Sequence, residues 1–130
     1  MSTRSYMMLM ALFLAGLGIG CVKGWKMDYE LPAAQFHQAV LASQGEAFIG
    51  KKITVQGTVK KVEVTDPDSA WIHLSGGIRC NLGKFKDMAE SCKIGDTVYV
   101  DGFLEHCEEG DMLIDPATLR DPTAPFSPRQ

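Results

Sequence analysis

The side chains able to do chemistry are few and scattered. Four cysteines, Cys21, Cys80, Cys92 and Cys107, and three histidines, His37, His73 and His106, are the candidate nucleophiles and metal ligands of the 130-residue chain. No two cysteines form the Cys-x-x-Cys pair of a zinc or thioredoxin-type site. A metal or haem set drawn from His73, Cys80, His106 and Cys107 fails on geometry, because His106 and Cys107 are neighbours, and neighbours in an extended strand point to opposite faces. Glu105, Glu108, Glu109, Asp111 and Asp115 are close enough in sequence to hold a cation loosely, yet a solvated hairpin is the ordinary explanation. No Ser-His-Asp, Cys-His or paired-carboxylate spacing argues for catalysis. The expectation is a protein that is not an enzyme and carries no metal and no cofactor.

What remains is suited to binding. Trp71 and His73 share one face of a short alternating segment, Arg79 lies on the outward phase of the next, and Tyr99 on the outward phase of a third. These four are the candidate ligand-binding residues. Trp71 has a second reading, as a cover over the core against an N-terminal helix. His37 lies beside an apolar stripe and reads as a packed or rim side chain.

Cys21 belongs to a different chemistry. From Met7 to Val22 the chain runs 16 residues without a charge, with Arg4 before it and Lys23 and Lys26 after it. The segment is an export or anchoring leader, slightly short for a spanning helix of about 20 residues. Its end, Leu17-Gly18-Ile19-Gly20-Cys21, resembles a permissive bacterial lipobox, with small Gly20 just before the cysteine that would be lipidated; Leu17 stands one position further back than the favoured leucine. An uncleaved anchor and an ordinary cleaved signal are the alternatives. All three place the domain outside the cytoplasm, in the cell envelope.

The charge balance points the same way. The net charge of −3 becomes −4 once Arg4 leaves with the leader, from 12 basic and 16 acidic side chains. A weakly acidic domain does not funnel phosphate backbones.

The elements that must position the candidates follow from periodicity. Residues 1–22 are leader and 23–30 spacer; 31–119 form one domain, and 120–130, with three prolines in its last ten residues, is read as a disordered tail. Leu31 to about Ser43 has helical spacing, with Ala33, Phe36 and Val40 beside Ala34, His37 and Leu41. Lys51–Val64 alternates Ile53, Val55, Gly57 and Val59 against polar residues and then slips register near Gly57–Lys61, where a bulge or bend belongs. Ala70–Leu74 and Ile78–Leu82 are the second and third strands. An amphipathic helix from Lys84 to about Lys93 presents Phe85, Met88, Ala89 and Cys92. Thr97–Leu104 is the fourth strand, with Val98 and Val100 inward and Tyr99 and Asp101 outward, and Met112–Asp115 the fifth, ended by Pro116. A long first strand that curls at a glycine closes a small barrel. The fold class is therefore all-β with accessory helices, a five-stranded OB-fold barrel with one helix before the first strand and one between the third and fourth.

Taken together, GKKITVQGTVKKVEV, WIHLSGGIRCNL and KIGDTVYVDGFL resemble the tRNA_anti-like family over roughly Leu31 to Leu119. That resemblance implies a small exported bacterial OB-fold domain, and it offers no catalytic motif. OB barrels bind single strands with aromatics on the second and third strands, so nucleic acid is the alternative ligand, with Lys60, Lys61, Lys84 and Lys86 near that face. Export and acidity disfavour it. The expected function is a monomeric, membrane-tethered binding module for a protein, glycan or other envelope component.

Overall fold

The computed structural model describes residues 32–129. The leader and Cys21 lie outside the described residues. The elements run β1 (Ala34–His37), α1 (Gln38–Gln44), a single 3-10 turn (Glu46–Phe48), β2 (Lys52–Asp66), β3 (Ser69–Leu74), β4 (Ile78–Gly83), α2 (Lys86–Glu90), β5 (Thr97–Glu108) and β6 (Asp111–Arg120). Strands β2 to β6 close a five-stranded barrel in the order β2-β3-β4-β6-β5, with β5 returning to β2, and β1 adds a parallel strand beside β2. This is the expected OB-fold with its two accessory helices.

Strand β2 closes the barrel because it serves two partners in succession. Its first half, Lys52 to Thr58, pairs with β5, and its second half, Val59 to Asp66, pairs with β3. The register shifts between Val59 and Lys61, where the alternation in the sequence breaks. Just before the bend, Gly57 lets Leu74 cross closely: a Cβ there would stand 2.7 Å from Leu74 Cδ1. A side chain at that point would push the two strands apart.

The core lies on the inward phase of every strand. Val55, Val59, Ile72, Leu74, Ile78, Val100 and Ile114 are buried as expected, and Val98 is half-buried against them. Phe36, Leu41, Ile53, Leu104 and Met112 complete the interior.

Four local expectations need correction. The helix expected from Leu31 begins only at Gln38, since Ala34–His37 is a strand whose Ala34 and Phe36 turn inward in register with Ile53 and Val55. So short an apolar run satisfies either period, and the free edge of β2 decides between them. Phe85 does not plug the barrel. It precedes the first turn of α2 and is 49% exposed, while Ala89 and Cys92 face the interior beside half-buried Met88. Strand β6 continues through Pro116 to Arg120, because the β5–β6 register shifts between Gly102 and Leu104, so the ladder needs no donor at the proline. Asp101 is outward by phase yet only 4% exposed, covered by Arg120.

The segment expected to be a disordered tail makes specific contacts. The Arg129 amide donates to the Gln35 carbonyl at 2.8 Å and the Ser127 amide to Gln35 Oε1 at 2.5 Å. Phe126 meets the rings of Tyr99 and His37 edge-on, at centroid distances of 5.1 and 5.5 Å. Phe126, Ser127 and Arg129 thus lie against β1.

Candidate functional site

Outward side chains of β2, β3 and β4 fall into two adjacent rows. Cross-strand pairing sets Glu63 opposite Trp71 and Trp71 opposite Asn81, and in the next row Lys61 opposite His73 and His73 opposite Arg79. Side chains directly opposite one another in antiparallel strands are close enough to interact, so the register builds the site. Glu63, Thr65, Trp71, His73 and Arg79 line an open groove of about 310 Å³.

Charge in this face is cancelled locally. His73 Nε2 lies 3.0 Å from Glu63 Oε1, and Lys61 Nζ lies 3.9 Å from the same oxygen. Arg79 donates to Asp111 Oδ1 at 2.9 Å, and Asn81 Nδ2 donates to Asp115 Oδ2 at 3.2 Å. These are partly exposed pairs, each contributing at most about 1 kcal/mol to stability. Their importance is electrostatic, because each cation of the groove has a carboxylate beside it.

Of the four candidate ligand residues, the fold brings together Trp71, His73 and Arg79. It separates Tyr99. Tyr99 pairs with Gln56 on the first half of β2, and its hydroxyl accepts from Gln56 Nε2 at 2.9 Å. Beside it lies a second hollow of about 370 Å³, lined by His37, Gln38, Ala39, Gln56, Gly57, Thr58 and Thr97. The Tyr99 ring itself meets Phe126 of the C-terminal segment edge-on.

Glu63, Thr65, Asn81 and Asp111 joined the face without being candidates. The outward phase of β2 beyond its bulge pointed to Glu63 and Thr65, whereas Asn81 and Asp111 follow only from pairing partners.

The acidic hairpin resolves into one compact group. His106, Glu108 and Asp111 present ligand atoms within 4.8 Å of one another, and His106 Nε2 stands 3.4 Å from Asp111 and 3.6 Å from Glu108. Arg79 already occupies Asp111. That guanidinium opposes a cation at the same carboxylate.

No cysteine of the described residues is poised as a nucleophile. Burial pushes the Cys80 thiol up to about 12. Burial also raises Cys92, helped by the charge of Asp96 against a hydrogen bond from Ser91, and raises Cys107, helped by Glu46 against a hydrogen bond from the Gly45 backbone. All three are free thiols.

The sign of the resulting pH dependence follows from linkage. The unfolded Cys80 thiol ionises near its ordinary value of 9.0 and the folded one near 12, so the unfolded chain sheds the proton first. The stability from Cys80 is full below about pH 9 and is lost as the pH climbs toward 12. Denaturant midpoints measured between about pH 8 and about pH 10.5 should fall, and fall less steeply in Cys80→Val. Equal slopes in the two proteins would refute a buried, protonated Cys80.

No family model matches the chain, and no curated protein matches it in sequence. Among solved structures the chain is similar to a candidate nucleic acid-binding lipoprotein from Klebsiella pneumoniae subsp. pneumoniae MGH 78578. The TM-score is 0.51 at 12% identity, covering 68% of this chain and 92% of that one. At that identity the likeness concerns the fold alone. The fold and the groove together define a small OB-fold domain with an aromatic, polar outer face.

Proposed function

We infer that this protein is a membrane-tethered OB-fold binding module working outside the cytoplasm, holding an envelope component in the Trp71 groove and catalysing no reaction. The observation that carries the reading is the groove itself, an indole set among polar side chains whose charges are paired, on the face that the barrel leaves open. Such a surface offers contact area and oriented hydrogen-bonding groups without a reactive centre.

The tether rests on the leader sequence. Cys21→Ser should abolish acyl labelling and leave unprocessed precursor. An unlabelled native protein of unchanged mobility would remove lipidation and leave the anchor or the cleaved signal.

Ligand capture is tested by a photoreactive residue at Thr65, which lines the groove. In cells making the full chain, an adduct is expected that disappears when Trp71→Ala is added. Absence of any Trp71-dependent adduct would refute the binding reading.

Single-stranded nucleic acid is the second reading, favoured by the description of the Klebsiella relative and by the position of Trp71 and His73 on β3. It requires retention on single-stranded DNA that weakens steeply with salt. The carboxylates beside Lys61, His73 and Arg79 argue against it.

A further inference from the structure

We propose that the Trp71 groove recognises an uncharged saccharide unit, an assignment that rests on the groove being the ligand face. A phosphate or other anion would meet Glu63 within the groove and Asp111 on Arg79. A cation would meet Arg79 and Lys61. A wholly apolar ligand would cover Glu63, His73 and Arg79 and give them no new partners, at the cost of their hydration.

An uncharged polyhydroxyl ring has none of these conflicts. Each hydroxyl both donates and accepts, so adjacent hydroxyls satisfy a carboxylate and a guanidinium at once. Glu63 supplies acceptors and Arg79 donors, and Thr65 supplies both, around a single indole. The flat C–H face of a sugar ring lies against the face of Trp71, the large amphipathic surface of the groove. Its volume of about 310 Å³ is at the small end of ligand sites, which run from roughly 300 to 1,000 Å³, and suits one or two rings. The contact of His73 Nε2 with Glu63 Oε1, and the ion pair between Arg79 and Asp111, fix the donors and acceptors in place before the ligand arrives.

The test uses the full chain in a non-glycosidic detergent, with Trp25→Phe so that Trp71 is the sole indole. Neutral oligosaccharides, one of N-acetylhexosamine and one of glucose units, are titrated against Trp71 emission and by calorimetry, with oligothymidylate in parallel. A saturable response to at least one oligosaccharide is expected, unchanged between about 50 and 200 mM salt. Trp71→Ala should weaken that binding about tenfold, and Trp71→Phe less, because a flat ring remains. Arg79→Gln, with an unchanged thermal midpoint, should also weaken it. No response to either oligosaccharide, or a response to oligothymidylate alone that fades with salt, overturns the assignment. Trp71-dependent adducts from Thr65 in the absence of oligosaccharide binding would remove the saccharide and keep the groove as a ligand site; loss of both would remove the two together.

Discussion

Phe36→Ala should destabilise the folded domain by about 3 to 5 kcal/mol, as truncation of a buried phenylalanine does, against roughly 5 to 15 kcal/mol holding such a domain together. Phe36 is fully buried, is in register with Val55, and meets the Phe48 ring edge-on at 5.5 Å. Removing it leaves a void where β1, β2 and the 3-10 turn converge. The neighbouring backbone is held by pairing on β2, so the void cannot close fully. Phe85→Ala should change stability by no more than about 0.5 kcal/mol, because the side chain is exposed and, although it stands at the N-cap of α2, makes no capping hydrogen bond. Equilibrium unfolding of the two variants decides the matter. A mild Phe36→Ala beside a severe Phe85→Ala would restore a helix from Leu31 and a barrel plugged by Phe85.

Asp101→Ala is expected to be comparably damaging, at about 3 to 5 kcal/mol, because it strands a buried cation. Asp101 Oδ1 accepts from the Thr54 hydroxyl, and Asp101 Oδ2 accepts from Arg120 Nη1 at 3.1 Å. The side chains of Arg120 and Asp101 are only 13% and 6% exposed, and Arg120 Nε already lacks a partner among the described residues. Thr54→Val removes one hydrogen bond and should cost only about 1 kcal/mol. Combining Asp101→Ala with Arg120→Met should recover part of the loss, since the unpaired charge goes with its partner. A double variant no more stable than Asp101→Ala alone would show that packing, not charge burial, sets the cost.

Strands β2 to β5 were legible because Ile53, Val55, Ile72, Leu74, Ile78 and Val100 alternate strictly, and a one-residue slip would expose all of them. The bulge after Val59 was visible as a broken alternation. Phe36 was misplaced because four residues fit a helix or a strand equally well, and only the unpaired edge of β2 resolves the choice. The burial of Asp101 is not legible in the sequence, because period two distinguishes two faces of a strand but does not say what covers the outer one. Arg120 covers it and in turn donates to the Pro125 carbonyl, and neither contact leaves a local pattern.

The site divides in the same way. Trp71 and His73 were legible as a pair because they stand two apart on one strand, and Arg79 joined them through a short β3–β4 turn. Tyr99 shares their outward phase, yet its pairing with Gln56 places it on the first half of β2, before the bend. Glu63 and Asp111, which neutralise the cations of the groove, arrive from strands that local sequence does not link.

The most direct test of the groove as the ligand face compares photoreactive residues at Thr65 and Thr97 in cells making the full chain. Thr65 lines the Trp71 groove, and Thr97 lines the hollow beside His37 and Gln56. Adducts from position 65 that vanish with Trp71→Ala, with none from position 97, are the predicted result; adducts from position 97 alone, insensitive to Trp71, would contradict it.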